Sequence, residues 1–185
     1  MLPQLSPWAI SQRINPSATN LSTTHRGDLK TKRQNMSTNI LNDLTQHPPR
    51  SPRSRLGGYV ILPRTLDKAR AKAAGKNGEY VYPGPLDKRF FEFVKIDPDA
   101  LFAEVKAGKG DGEILEWIQQ NAGYKPAPWE ITQWSTYNEA RTADSIQAKE
   151  RVLGAVTKLA PKRTDILTGF DLLELDDYVS FGGKP

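Results

Sequence analysis

The feature of this sequence that most constrains its fold is a succession of short helical segments between residues 62 and 180. Asp97-Pro98 places a capping residue before a proline at the first helical position, and Asp111 directly after Gly110 is a second predicted cap. Pro161 stops a later segment, because proline cannot continue a helix. About six or seven short helices with at most one or two short β segments predict a compact bundle that is all-α or mainly α. No strands alternate with these helices, so a Rossmann-type sheet is disfavoured.

The helix that begins near Pro63 combines an apolar face with a basic stripe. Leu62, Leu66, Ala69 and Ala73 recur at helical spacing and form the apolar face. Arg64, Lys68 and Lys72 recur every fourth residue on another face. Gly57-Gly58 permits positive φ and predicts a tight turn before the helix, and Gly75 is placed to end it. The loop ahead of the turn carries Arg50, Arg53 and Arg55.

Two interpretations of the surface from Arg50 to Lys72 stay open. As a ligand site, it binds a small anionic ligand or an acidic protein partner, because guanidinium groups match phosphates and carboxylates. The candidate binding residues are Arg50, Arg53, Arg55, Tyr59, Arg64 and Lys68. As structure, the stripe is a solvated helix face and the arginines pair with carboxylates elsewhere in the fold.

The densest acidic group consists of Asp171, Glu174, Asp176 and Asp177. Clustered oxygens bind Mg²⁺ or Ca²⁺, and paired carboxylates serve acid–base catalysis, so an enzyme that uses this group is the alternative function. The same acids are equally typical of a solvated helix face. Salt bridges from them to Arg50, Arg53 or Arg55 explain both charge blocks without any ligand. No cofactor follows from the sequence.

Several classes of chemistry are excluded or disfavoured by composition. The chain has no cysteine, which excludes disulfides, thiolate nucleophiles and cysteine-ligated metals. Histidine occurs only as His25 and His47, so histidine-based catalysis in the predicted domain has to use His47. Trp117, Trp129 and Trp134 have helical spacing and are predicted core residues. The alternative is that they line a pocket for a flat or apolar ligand together with Tyr124 and Tyr137. They are not interleaved with basic residues, which disfavours a platform for stacked nucleic-acid bases. No apolar run is long enough to span a bilayer.

Residues 1–41 are predicted to be a disordered tail ahead of a single domain at residues 42–183. The tail is rich in Ser, Thr, Asn and Gln and lacks helical or strand periodicity. Residues 1–40 carry five basic side chains and one acidic, whereas the whole chain has a net charge of +5. The basic character therefore belongs mainly to the tail, which disfavours nucleic-acid binding by the domain. The tail is either a transit peptide or upstream sequence with Met36 as the true start, and the second is preferred.

Four segments carry a resemblance to a known family. They are DLTQHPPRSPRSRLGGYVILPRTLDKARAKAAG (residues 43–75), PLDKRFFEFVKIDPDAL (85–101), GDGEILEWIQ (110–119) and FDLLELDDYVSFGG (170–183). In this order they resemble the bacterial domain-of-unknown-function 5069 family over about residues 42–183. The resemblance implies a single bacterial, cytoplasmic domain of uncharacterised function and transfers no catalytic residue. Members of that family begin close to the DLTQ segment, which also favours Met36 as the start.

Overall fold

The structure, a computed structural model, describes residues 43–185. The predicted tail and the alternative start at Met36 lie outside the described residues, as does His25. The described part of the chain contains seven α-helices, which confirms the predicted mainly α fold. They are α1 (Leu62–Ala73), α2 (Pro85–Val94), α3 (Pro98–Lys106), α4 (Asp111–Asn121), α5 (Pro128–Ala140), α6 (Ile146–Leu159) and α7 (Gly169–Ser180). In these residues β structure is limited to two isolated bridges, Leu56–Tyr59 and Thr142–Thr168.

Helix α1 lies at the centre of the fold and is buried on nearly all sides. Two of the three residues of its basic stripe are included, because only 4% of Arg64 and 7% of Lys68 is exposed, whereas Lys72 is exposed. A solvated helix face is therefore wrong for these two residues. The helix ends as predicted at Gly75, whose φ of 66° allows the Lys76 N–H to reach the Ala71 carbonyl at 2.8 Å.

The predicted turn before α1 is a two-residue turn. Leu56 and Tyr59 exchange backbone hydrogen bonds of 3.1 and 3.0 Å across Gly57-Gly58, whose φ values are 59° and 86°. Positive φ at both central residues is the requirement of a type I′ turn. The Ser135 hydroxyl of α5 donates to the Gly58 carbonyl at 2.8 Å and fixes the turn against that helix.

A strained residue connects this turn to α1. Ile61 has a φ of 69°, and the Leu62 N–H donates to the Val60 carbonyl at 2.7 Å across it. A β-branched residue with positive φ costs about 1–3 kcal/mol and persists only where its surroundings enforce it. Here the Ile61 side chain is fully buried in a cluster with Phe170 of α7, and its N–H donates to the Pro52 carbonyl at 2.9 Å. The loop before α1 and the C-terminal helix are thus tied to one point.

The main core is built by α1 to α4, with α5 packed against it. Its largest members are aromatic and aliphatic side chains that include Tyr59, Leu66, Phe90, Phe91, Leu101 and Ile114. Trp134 of α5 stacks on Phe93 with ring centroids 5.0 Å apart. Helices α6 and α7 pack on each other as a C-terminal hairpin. No helix in the described residues is long and apolar enough to cross a membrane.

Candidate functional site

Arg50, in the loop before α1, is held by two carboxylates. Its guanidinium donates to both oxygens of Asp67 at 2.7 and 2.8 Å and to Asp111 at 2.6 Å. Arg70 forms an ion pair with the other oxygen of Asp111 at 2.7 Å. Asp111 was predicted to cap α4, but Gly110 is the N-cap and Asp111 is the first helical residue. Its side chain contacts the two arginines instead.

These contacts set the ionisation of Asp111. Burial alone would raise the pKa of this carboxyl. The hydrogen bond from Arg50 and the positive charge of Arg70 outweigh burial and hold the pKa below its ordinary value. Asp111 is therefore stabilised as an anion, and its negative charge is neutralised by Arg50 and Arg70.

Arg53 joins the same loop to the C-terminal helix. One guanidinium nitrogen donates to Asp171 at 2.5 Å, and another donates to Glu174. The Ser51 hydroxyl donates to Glu174 at 2.5 Å, and the Arg53 guanidinium lies 5.8 Å from the centre of the Phe170 ring. Arg53 is thus a two-carboxylate clamp on α7 with a cation–π contact beside it.

Arg64 makes a second connection from α1 to the C-terminal helix. Its two terminal nitrogens donate to the two oxygens of Asp177 at 2.6 and 3.0 Å, a bidentate pair. The Tyr80 hydroxyl donates to Asp177 at 2.7 Å, and the Tyr80 ring lies 5.5 Å from the Arg64 guanidinium. Burial, then the hydrogen bond and negative charge of Asp177, raise the pKa of Tyr80, so this hydroxyl stays a donor.

Lys68 contacts the most deeply buried carboxylate of the group. Its ammonium donates to Asp87 of α2 at 2.5 Å, and none of Asp87 is exposed. Asp87 also accepts from the Thr65 hydroxyl at 2.8 Å and from the Gly84 N–H at 2.6 Å. A Cβ at Gly84 would lie 3.1 Å from the Lys68 ammonium, so the position favours glycine. Burial lowers the pKa of Lys68, against the opposing charge and hydrogen bond of Asp87.

The two remaining candidate ligand residues lie apart from these contacts. Arg55 is an exposed side chain that donates to Glu139 of α5 at 2.8 Å. Tyr59 is a core residue, only 5% exposed, whose ring meets Phe90 edge-on with centroids 5.4 Å apart. We call Arg50, Arg53, Arg64 and Lys68, together with the carboxylates that they contact, the ionic framework.

The four acids considered as a metal site do not converge. Asp171 and Glu174 contact Arg53, Asp177 contacts Arg64, and Asp176 is exposed. Within residues 43–185 no group of three or more acidic or histidine side chains is arranged to hold a metal ion. We therefore propose no metal site at these acids. The Nδ1 atom of His47 lies 3.0 Å from the Pro48 carbonyl.

Sequence reasoning missed a second surface, formed by exposed apolar side chains on the hairpin and its linkers. Ile146 and Leu153 of α6 are 71% and 66% exposed, and Leu167 in the loop before α7 is 64% exposed. A groove of about 400 Å³ between α6 and this loop is lined by Val152, Leu153, Val156, Ile166 and Leu167, with Lys149 and Arg163 also at the lining. We call it the hairpin groove.

Two smaller concavities lie beside the groove on the side of α5. Thr142 lines the hairpin groove and both of these concavities, which also contain charged side chains such as Arg141 and Asp144, and one of them includes Tyr137. Tyr137 and Trp129 are 60% and 61% exposed. The prediction of a core position is therefore wrong for Trp129, although Trp134 does lie against the core. The signal in the sequence was the apolar pattern of α6. It contains more apolar residues than the structure buries, since Val156 is buried whereas Leu153 is exposed.

Comparison with known proteins identifies the family but no activity. No curated protein matches the chain. The family described as "Domain of unknown function (DUF5069)" matches residues 46–179, which include the whole ionic framework and the hairpin groove. The chain belongs to the DUF5069 family.

Proposed function

We propose that this chain is a protein-binding domain in which Arg53 and Arg64 of the ionic framework hold the C-terminal hairpin in place and the hairpin carries the binding surface. The absence of cysteine and the family resemblance support a bacterial, cytoplasmic setting.

The observation that carries the proposal is the hairpin groove, where Leu153 of α6 and Leu167 of the following loop leave apolar side chains exposed on the two sides of one concave surface. Single exposed apolar residues are normal on any protein, but a connected patch marks an interaction site. Here Ile146, Leu153 and Leu167 each leave well over half of the side chain in water. A protein partner would cover this area and recover the hydrophobic free energy that the isolated chain forgoes.

The competing function is binding of a small anionic ligand at the basic surface. An incoming phosphate would have to displace Asp67 and Asp111 from Arg50, or Asp171 and Glu174 from Arg53. The enzymatic alternative meets the same obstacle, because Asp171, Glu174 and Asp177 each already contact an arginine of the chain itself. The internal pairing therefore favours a structural role for both charge blocks.

Thermal unfolding of the full chain against phosphorylated metabolites, nucleotides and Mg²⁺ separates these functions. A ligand at a hundred times its Kd adds about 2.7 kcal/mol to the free energy of unfolding. In a chain of this size that raises Tm by roughly 5–11 °C. We expect no such shift. A shift with a phosphorylated compound that Arg53→Ala abolishes, or a shift with Mg²⁺ that Asp176→Asn abolishes, would contradict the proposal.

Site-specific photocrosslinking tests the binding surface directly. A photoreactive residue replaces Leu153 in the full chain, and in the control it replaces Val81, which is similarly exposed at 64% but lies outside the groove. We expect a discrete protein adduct from position 153, none from position 81, and loss of the adduct when Leu167→Glu is added. Equal labelling from both positions would argue against a defined surface.

A further inference from the structure

We propose that the hairpin groove binds an acidic amphipathic helix of a partner protein. This inference rests on the proposed function and adds the chemistry of the partner. It draws on two independent properties of the groove, its apolar shape and the charge around it.

The apolar part of the groove has the geometry of a helix-binding site. Val152 and Leu153 lie four and three residues before Val156, so these three lining side chains share one face of α6. Leu167 and Ile166 form the opposite side, so the groove runs between a helix and a loop. A helix that places apolar side chains at i, i+3, i+4 and i+7 into such a groove is a common mode of peptide recognition.

The basic residues around the groove favour a partner helix whose polar face is acidic. Residues 141–167, which include every residue that lines the groove, contain six basic and three acidic side chains. Lys149 lies at the lining and takes part in none of the ion pairs found among residues 43–185. Arg163, also at the lining, pairs only with its neighbour Asp165, and both side chains are exposed. An acidic partner face complements this rim and gains association rate and specificity from it.

Charge also distinguishes this partner from a second copy of the chain. In a symmetric dimer through this face, the same patch meets itself, so the basic rim of one protomer would lie on the basic rim of the other. Like charges placed together across an interface are costly. Among the acids around the groove, Asp144 and Asp165 are already paired with Arg141 and Arg163.

A concave surface favours a peptide helix over a lipid surface. An amphipathic helix that binds a membrane presents its apolar residues outward to the bilayer. Here Val156 is buried at the base of the groove and Val152 is partly buried, so the space accepts protruding side chains from a partner. A concave surface of this kind binds a ligand whose side chains protrude into it.

Selection from a display library tests the inference without prior choice of the partner. The probe is a library of helix-forming peptides of about 14 residues, the length of α6, with mixed acidic, basic and neutral residues at the polar positions. The immobilised full chain is expected to enrich peptides with apolar residues at i, i+3, i+4 and i+7 and an excess of Asp and Glu. An enriched peptide is then titrated by fluorescence anisotropy.

Variants locate the bound peptide. Leu153→Glu is expected to raise Kd about tenfold or more, because it places a charge at the apolar centre of the groove. Leu167→Glu on the opposite side should act similarly, and Lys149→Glu should raise Kd about threefold. Val81→Glu is the matched control and should leave Kd unchanged.

Four results would overturn the inference. They are the absence of any enriched peptide, enrichment of basic or neutral peptides, binding that Leu153→Glu does not weaken, and equal weakening by Val81→Glu. A fifth is binding of the full chain to phosphatidylglycerol vesicles that Leu153→Glu abolishes while no acidic peptide binds, which would assign the groove to a membrane surface. The photocrosslinking test keeps the two ideas distinguishable: an adduct from position 153 without any enriched acidic peptide would overturn this inference and leave the proposed function standing.

Discussion

Arg64 and Lys68 of α1 and Lys149 of α6 occupy opposite environments, although all three are basic side chains on helices that also carry an apolar face. Arg64 and Lys68 of α1 are buried, and each contacts a carboxylate from another helix. Lys149 of α6 is exposed beside a groove lined by apolar residues. The difference shows that a basic residue on a helix does not by itself indicate a binding surface. Whether the residue is exposed or paired depends on where the fold places a carboxylate. Asp177 is more than a hundred residues from Arg64 along the chain, so this pairing cannot be read from local sequence.

The largest effect is expected where a charge would be left alone in the interior. Asp87→Asn leaves the buried Lys68 ammonium without its counter-charge, at a cost of about 3–5 kcal/mol in the free energy of unfolding. Urea unfolding measures the loss. Glu92→Gln, on the exposed face of the same helix, should change stability by less than about 0.5 kcal/mol. A small effect at Asp87 would mean that water reaches the pair.

A smaller loss is expected at the clamp on the C-terminal helix. Arg53→Ala removes two carboxylate contacts at a partly exposed position, which should cost about 1–2 kcal/mol. Arg163→Ala is the matched control, because that arginine pairs only with nearby Asp165 in solvent and should be nearly neutral. Hydrogen exchange should become faster in α7 for the Arg53 variant alone. If hydrogen exchange in α7 is equally fast in both variants, Arg53 does not hold α7 in place.

Acid should weaken the framework gradually. The pKa values of Asp111 and Asp171 are held below the ordinary value. For Asp111, burial is outweighed by hydrogen bonds and charge from Arg50 and Arg70. For Asp171, burial is outweighed chiefly by backbone N–H groups at Thr168 and Leu167. A depressed carboxyl pKa contributes stability that is present above the unfolded value and is lost as pH falls through the folded one. Stability should therefore decline below about pH 4.

Urea midpoints measured from pH 7 down to pH 3 check this decline. Asp111→Asn should have a shallower dependence on pH than the unchanged chain, whereas Asp176→Asn, which alters an exposed acid, should follow the unchanged chain. A profile that rises toward acid pH would contradict the assigned role of these carboxylates.

The smallest effect on stability is expected in the hairpin groove. Leu153→Glu should change the free energy of unfolding by less than about 0.5 kcal/mol, because the side chain is already mostly in water. Thermal unfolding of the variant checks this. A large loss would show that Leu153 belongs to a core, and the groove would then be structural like the framework.

The sequence predicted the local elements better than the site. Asp97-Pro98, Gly57-Gly58 and Gly75 act through their own backbone conformation, and each behaves as predicted. The salt bridges were anticipated as one open alternative, but their pairing was not. Asp87 and Asp111 gave no sign that they would contact Lys68 and Arg50, because such contacts depend on how helices pack. Exposure of Trp129 was missed for the same reason.

We propose above all that Arg53 and Arg64 are bound by the chain's own acids on α7 and thereby hold the C-terminal hairpin. A double-mutant cycle on Arg53→Ala and Glu174→Gln, read by urea unfolding of the full chain, tests it most directly. Direct contact predicts a coupling free energy of about 1 kcal/mol, so that the second substitution costs little once the first is present. Additive losses, within about 0.3–0.5 kcal/mol, would contradict the claim and return Arg53 to the role of a ligand-binding residue.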